Sequence, residues 1–132
     1  MMKIEQTTTK LPKNVGDYQM RIAKQEDAGE ILQLIETAFN NYTEKGINSA
    51  LAEKLKDVKI DIEDHIVLIL EDSSEIIGSL RLEIHNNGVY LKRFAVAPGF
   101  QGMGLGSSFF NAVKKLVAEM GKDYIYLYSS LE

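Results

Sequence analysis

Between Arg93 and Ser107 the chain reads Arg-Phe-Ala-Val-Ala-Pro-Gly-Phe-Gln-Gly-Met-Gly-Leu-Gly-Ser, and this run constrains the fold more than any other. An apolar, strand-like stretch ends in Pro98-Gly99. A glycine-dense loop follows, and the sequence then takes helical spacing. Glycines at 102, 104 and 106 let backbone N–H groups crowd together without interference from Cβ. The first N–H groups of a helix lack intrahelical partners and sit at the positive end of its dipole. The run is therefore expected to form a strand–loop–helix corner with an anion pocket, and phosphate or pyrophosphate is the natural occupant. A glycine-rich turn that binds nothing is the plain alternative.

Two common phosphate loops do not fit. A P-loop needs lysine after its second glycine, but Leu105 follows Gly104. A dinucleotide fingerprint needs Gly-x-Gly-x-x-Gly; from Gly102 the third position is Ser107, and from Gly104 it is Phe109. The loop also comes late in the chain, after a run of hairpin-like segments. By contrast, Gln101-x-x-Gly104-x-Gly106 resembles the Gln/Arg-x-x-Gly-x-Gly/Ala signature of the GNAT superfamily of N-acetyltransferases. The flanks are similar too: a strand ending in Val96, Ala-Pro-Gly-Phe, the loop, then a helix containing Phe109 and Phe110. The resemblance covers 18–130.

The chain is long enough for one domain with a real core: 132 residues, 45% hydrophobic and 26% charged. It contains no cysteine, which excludes disulfides, thiolate metal sites and cysteine nucleophiles. Its two histidines, His65 and His85, have no zinc-like spacing, so no metal is expected. No segment approaches the roughly 20 apolar residues of a membrane span, and the N-terminus lacks the apolar core of a signal peptide. A cytoplasmic location is expected, with no membrane partner. The net charge of −4 comes without a basic stripe, which argues against nucleic acid and weakly favours cationic acceptors such as amines.

Residues 1–17 show no clear period and read as a loose arm, leaving 18–130 as the domain. Residues 18–23 alternate as a strand. Ala28, Ile31, Leu32, Ile35, Ala38 and Phe39 make one helical face, and Ile47, Leu51 and Leu55 suggest a short second helix. His65 to Glu71 is a continuous apolar run of strand length, expected to be covered on both faces. After a turn at 72–75, Ile76, Gly78, Leu80, Leu82 and Ile84 alternate with Ile77, Ser79, Arg81, Glu83 and His85. Asn86-Asn87-Gly88 predicts a type I′ hairpin, and 89–96 is the return strand. Phe109, Val113, Leu116, Val117 and Met120 form the next helical face, with Gly121 as its stop and 123–128 as the last strand. The order predicts an α+β fold: a mixed, mainly antiparallel sheet with helices on both faces. The last strand should run parallel to the one before the loop.

The resemblance implies an acyl-CoA N-acyltransferase fold whose two parallel strands splay apart to admit the pantetheine arm. It implies acetyl-CoA as cosubstrate. The backbone of Phe94, Ala95 and Val96 would meet the pantetheine, and one of those N–H groups would donate to the thioester oxygen. Backbone amides of Gln101, Gly102, Met103, Gly104, Leu105, Gly106 and Ser107 would hold the pyrophosphate. The acceptor would be a primary amine of a small molecule or a protein. With no cysteine, direct attack in a ternary complex is expected over a covalent intermediate. Glu83 is the candidate base, as a strand carboxylate on the face shared with His85. His85, His65 and Tyr90 are weaker candidates, each also readable as a surface residue.

The family's pattern runs on past the last strand into a further helix and two strands, which this sequence lacks. Its helical tyrosine is not carried onto Tyr124, Tyr126 or Tyr128. An exposed strand edge would then invite a homodimer, and Leu131-Glu132 resembles a vector-derived end. Two other readings stay open: an acyl-CoA-binding module with little catalysis, and an unrelated phosphate-binding domain.

Overall fold

The computed structural model describes residues 11–40 and 53–127. Six strands form one sheet in sequence order: β1 (Lys13–Val15), β2 (Tyr18–Ile22), β3 (Ile66–Asp72), β4 (Glu75–Ile84), β5 (Gly88–Val96) and β6 (Tyr124–Leu127). Neighbours pair antiparallel except β5 and β6, which are parallel, as the helical crossover between them requires. Among the described residues three α-helices accompany the sheet: α1 (Ala28–Asn40), α2 (Leu55–Asp64) and α3 (Leu105–Glu119). The α+β expectation holds.

Strand β3 explains the layering. Val67, Leu68, Ile69 and Leu70 are all buried, but they feed two different cores. Leu68 and Leu70 pack with Leu80, Leu82, Val89, Leu91 and the α3 residues Phe109, Val113, Leu116 and Val117. Val67 and Ile69 pack with Ile31, Leu34 and Ile35 of α1 and Val58 of α2. A strand sandwiched by helices has no polar face to show, hence its unbroken apolar run.

Helix α3 ends where its sequence says it should. Gly121 has φ +82°, its N–H donates to Ala118 O at 3.0 Å, and Lys122 N donates to Val117 O at 3.3 Å. This paired closure satisfies the last carbonyls of the helix. At the other end of the chain, Asp27 precedes α1. Its carboxylate takes both terminal nitrogens of Arg21 (2.9 and 3.0 Å) and Lys24 N at 2.7 Å. Arg21 also reaches Glu71 on β3 at 3.0 Å, so one guanidinium ties the helix start to two strands.

Several local expectations fail for identifiable reasons. Residues 13–15, expected in a loose arm, are strand β1 and pair with β2; residues 1–10 lie outside the described ones. Ile76 and Ile77 swap faces: Ile77 joins the α3 core and Ile76 the α1 core. A register shift opposite Leu70 and Glu71 inserts the extra residue that a strict alternation cannot anticipate. The left-handed turn lies at Ser73 and Ser74 (φ +51° and +79°), between β3 and β4, and not at Asn86-Asn87-Gly88. That second link closes through His85 N to Gly88 O at 2.9 Å, with Lys122 Nζ bonded to His85 O. The predicted helix through Ile47 and Leu51 falls outside the described residues; the helix that is described, α2, starts at Leu55.

No helix among the described residues is long and apolar enough to cross a membrane, and no cluster of candidate metal ligands occurs among them.

Candidate active site

The site begins at a bulge in β5. Arg81 faces Lys92 across the β4–β5 ladder, and the next recorded pair is Ser79 with Ala95. One residue of β4, Leu80, therefore stands against two of β5, Arg93 and Phe94. Arg93 takes φ +55°, the left-handed region that a non-glycine residue seldom occupies. Such a bulge bends and twists its strand. Beyond it, Ala97 N donates to Ile77 O at 2.8 Å. Peptide groups alternate sides along a strand, so those of Val96 and Phe94 point away from β4, toward the β6 side. The β5–β6 ladder runs only from Gly88–Tyr124 to Leu91–Leu127 among the described residues. The peptide groups of Phe94 and Val96 thus face the β6 side of the strand, beyond the paired stretch of the described residues, while the Phe94 ring packs edge-on against Phe109 at 5.6 Å.

The loop is adjacent. Pro98–Phe100 forms a single tight turn, with Phe100 N bonded to Ala97 O at 2.8 Å. The Gln101 N–H, expected among the converging donors, instead closes onto Pro98 O at 3.3 Å. Its side chain folds back, and Nε2 donates to Val96 O at 2.9 Å. Gly102 and Gly104 both take left-handed φ (+80° and +78°), which glycine alone adopts without cost.

Gly104 is the N-cap of α3 and carries no side-chain cap, and no acidic residue occupies the first turn. The first backbone bond here is Ser108 N to Gly104 O at 3.1 Å. The N–H groups of Leu105, Gly106 and Ser107 have no intrahelical acceptor. A Cβ added to Gly102 or Gly104 would meet nothing within 4 Å, and one on Gly106 only Val96 Cγ2 at 4.0 Å. Packing therefore does not explain the glycine at 106. The space beside it, on the Val96 side, is open.

The sheet face on the α1–α2 side carries the charged candidates. Glu83 bonds Lys92 Nζ at 2.7 Å and lies 3.3 Å from His85 Nε2 and 3.6 Å from His65 Nε2. The Lys92 hydrogen bond, outweighing partial burial and helped by His85, holds the Glu83 carboxyl below its usual range. A carboxylate held low is a reluctant proton acceptor. Glu83 also pairs with Tyr90, at the hairpin end of the ladder and far from Val96. Tyr90 stacks between His85 (4.3 Å) and Tyr126 (4.8 Å).

Sequence reasoning passed over a buried ionic cluster on the same face. Arg81 is wholly buried. Its guanidinium takes both carboxylate oxygens of Glu53 (Nη2 to Oε1, 2.7 Å) and Asp61 Oδ2 at 2.8 Å. Burial depresses the arginine's pKa, but the bonds to Glu53 and Asp61 outweigh it and raise it overall. Arg81 Nε and Ser79 Oγ, both buried, have no hydrogen-bond partner among the described residues. The only signal in the sequence is an arginine in the middle of a long strand whose opposite face is apolar.

With this geometry in view, comparison with known proteins is decisive for the family. The model of the acetyltransferase (GNAT) family matches residues 28–131, and the chain belongs to that family. Among solved structures the chain is similar to the PaiA N-acetyltransferase of Thermoplasma acidophilum, solved with coenzyme A. The two are 19% identical over 86% of this chain and 80% of that one, with a TM-score of 0.75. A GNAT acetyltransferase of Staphylococcus aureus Mu50 is 18% identical over 85% and 72%, with a TM-score of 0.69. Rv2747 of Mycobacterium tuberculosis, also solved with CoA, is 16% identical over 82% and 62%, with a TM-score of 0.65. At these identities the likeness establishes the fold. No curated protein matches the chain in sequence.

Proposed function

We propose that this protein transfers an acetyl group from acetyl-CoA to a primary amine by direct attack in a ternary complex. The observation that carries the reading is the uncapped N-terminus of α3, with left-handed Gly102 and Gly104, set beside the end of β5, whose Phe94 and Val96 peptide groups point away from β4. The N–H groups of Gly102, Met103, Gly104, Leu105, Gly106 and Ser107 hold the pyrophosphate, where the helix dipole favours negative charge. Gln101 contributes through its side chain, which braces the loop against Val96 O. The backbone of Phe94, Ala95 and Val96 borders the pantetheine arm. A Phe94 or Val96 N–H, fixed in place by the strand, donates to the thioester oxygen as it gains charge. The cosubstrate supplies an activated acyl carbonyl; the protein positions it and keeps the amine close.

No cysteine is available for a thioester intermediate, which supports direct attack. Glu83 is the carboxylate to test for proton removal. Glu83→Gln should lower kcat and move the acid limb of the pH profile if it serves; an unchanged profile removes it. The acceptor is an amine of a small molecule or a protein. β6 borders the sheet among the described residues and exposes Tyr124 and Leu127. These features support pairing with a second copy, testable by solution mass.

Calorimetry with acetyl-CoA, followed by CoA release over an amine panel, tests the reading. Micromolar binding that Gly104→Asp abolishes is expected, because a carboxylate would repel the diphosphate. Absence of CoA binding by the wild-type protein overturns it. Binding without turnover on any amine would favour an acyl-CoA-binding module.

A further inference from the structure

We propose that Glu53 is a positioning residue for acetyl transfer: it holds the β5 bulge in the shape that turns the Phe94 N–H away from β4, toward the thioester. The proposal rests on the acetyl-transfer reading above.

Arg93 is the one non-glycine residue with positive φ inside a strand among the described residues; Ser73 and Ser74 sit in a turn. A bulge leaves its extra residue outside the ladder, so strand pairing alone does not fix its backbone. Something else must hold Arg93 there. Its Nε lies 3.5 Å from Glu53 Oε2. Both oxygens of that carboxylate also engage Arg81, which faces Lys92 in the last pair before the bulge. One carboxylate, only 4% exposed, thus bridges the two strands at the point where their register breaks. A left-handed Arg93 brings its guanidinium under the sheet to Glu53. Return of Arg93 to ordinary strand geometry would lengthen that ion pair and rotate the next peptide, Phe94, away from that direction. Asp61 bonds Arg81 at 2.8 Å, and its neutralisation removes a buried charge while leaving the Glu53 bridge between Arg81 and Arg93 in place, so it separates loss of buried charge from loss of bulge geometry.

The test compares Arg93→Gly, Arg93→Ala, Glu53→Gln and Asp61→Asn for kcat, KM for acetyl-CoA, CoA affinity and thermal midpoint. Glycine adopts φ near +55° freely and alanine does not. Arg93→Gly should keep kcat near wild type, whereas Arg93→Ala should lose about tenfold or more, as small misplacements of reacting groups do. Glu53→Gln should lose kcat similarly while CoA affinity barely moves. Asp61→Asn should lower the thermal midpoint and leave kcat. Equal kcat for Arg93→Gly and Arg93→Ala overturns the proposal even if Glu53→Gln fails to fold. So does a folded Glu53→Gln with wild-type kcat, or an Asp61→Asn that loses kcat as much as Glu53→Gln. A wild-type protein that neither binds CoA nor transfers acetyl brings down the acetyl-transfer reading first, and that outcome is distinguishable from the others.

Discussion

The two faces of the β4–β5 ladder are built from opposite materials. On the α3 side, the corner from Phe94 to Ser107 is one contiguous stretch, and its chemistry is peptide N–H groups freed by glycine geometry and an uncapped helix. On the α1–α2 side, Glu53 comes from the segment before α2 and Asp61, Arg81 and Arg93 from α2, β4 and β5, and all four act through their side chains. The first arrangement is set by local conformation, so it tolerates changes elsewhere. The second exists only when the whole domain has folded, and each member depends on the others to neutralise a charge taken out of water.

That contrast predicts where substitutions hurt most. Arg81→Ala would strand two carboxylates in a largely dry interior; a loss of about 3–5 kcal/mol in denaturant unfolding is expected. A loss under about 1 kcal/mol would mean the cluster is far wetter than its burial implies. Less costly is Asp27→Asn, which removes the bidentate partner of Arg21 and the acceptor of Lys24 N; about 1–2 kcal/mol at pH 7 is expected.

Its pH dependence has a definite sign. The Arg21 hydrogen bonds, opposed by burial and helped by Lys24 N, hold the Asp27 carboxyl below its ordinary 3.8. A lowered folded-state pKa stabilises fully above that ordinary value and is lost as pH falls through the folded value. The wild-type advantage over Asp27→Asn should therefore hold from neutral pH down to about pH 4 and shrink below it. Persistence of the full difference at pH 2 would contradict the assignment.

Gly106→Ala sharpens the comparison, because two effects of opposite sign are expected from one methyl group. Open space around the position predicts a gain of up to about 1 kcal/mol in stability, since alanine is the better helix former. CoA affinity should fall, because the methyl enters the open space on the Val96 side. The smallest effect is expected at Ser74→Gly. It relieves a left-handed serine and should stabilise by about 0.4–1 kcal/mol without touching CoA binding.

What the sequence discloses follows the same division. The β3 run, the α3 face and the Gly121 stop depend on spacing within one element, the parallel last strand on the helix that crosses over before it, and all are legible. The glycine loop is legible for the same reason, since φ preferences are local. Bulges are not: nothing in Ile76-Ile77 or in Arg93-Phe94 announces an extra residue, because its cause lies on the opposing strand. Gly88 misleads in an instructive way. Asn87-Gly88 reads as a left-handed turn, yet the glycine is required by a close approach from β6. Helix α2 is weakly signalled because Leu55 and Ile60 lie exposed and only Val58 is fully buried. Its clearest mark is Asp57, which accepts from Lys54 N at 2.9 Å.

A Cβ on Gly88 would stand 2.7 Å from Tyr124 O and 2.8 Å from the Tyr126 ring. The paired stretch of β5 and β6 is therefore pinned tightly at one end. Anything larger than hydrogen at 88 would act as a wedge there, and its leverage would be felt some 26 Å along β5, at about 3.3 Å per residue, where Val96 meets the loop. The seating of that distant corner is thus governed by the smallest residue in the chain.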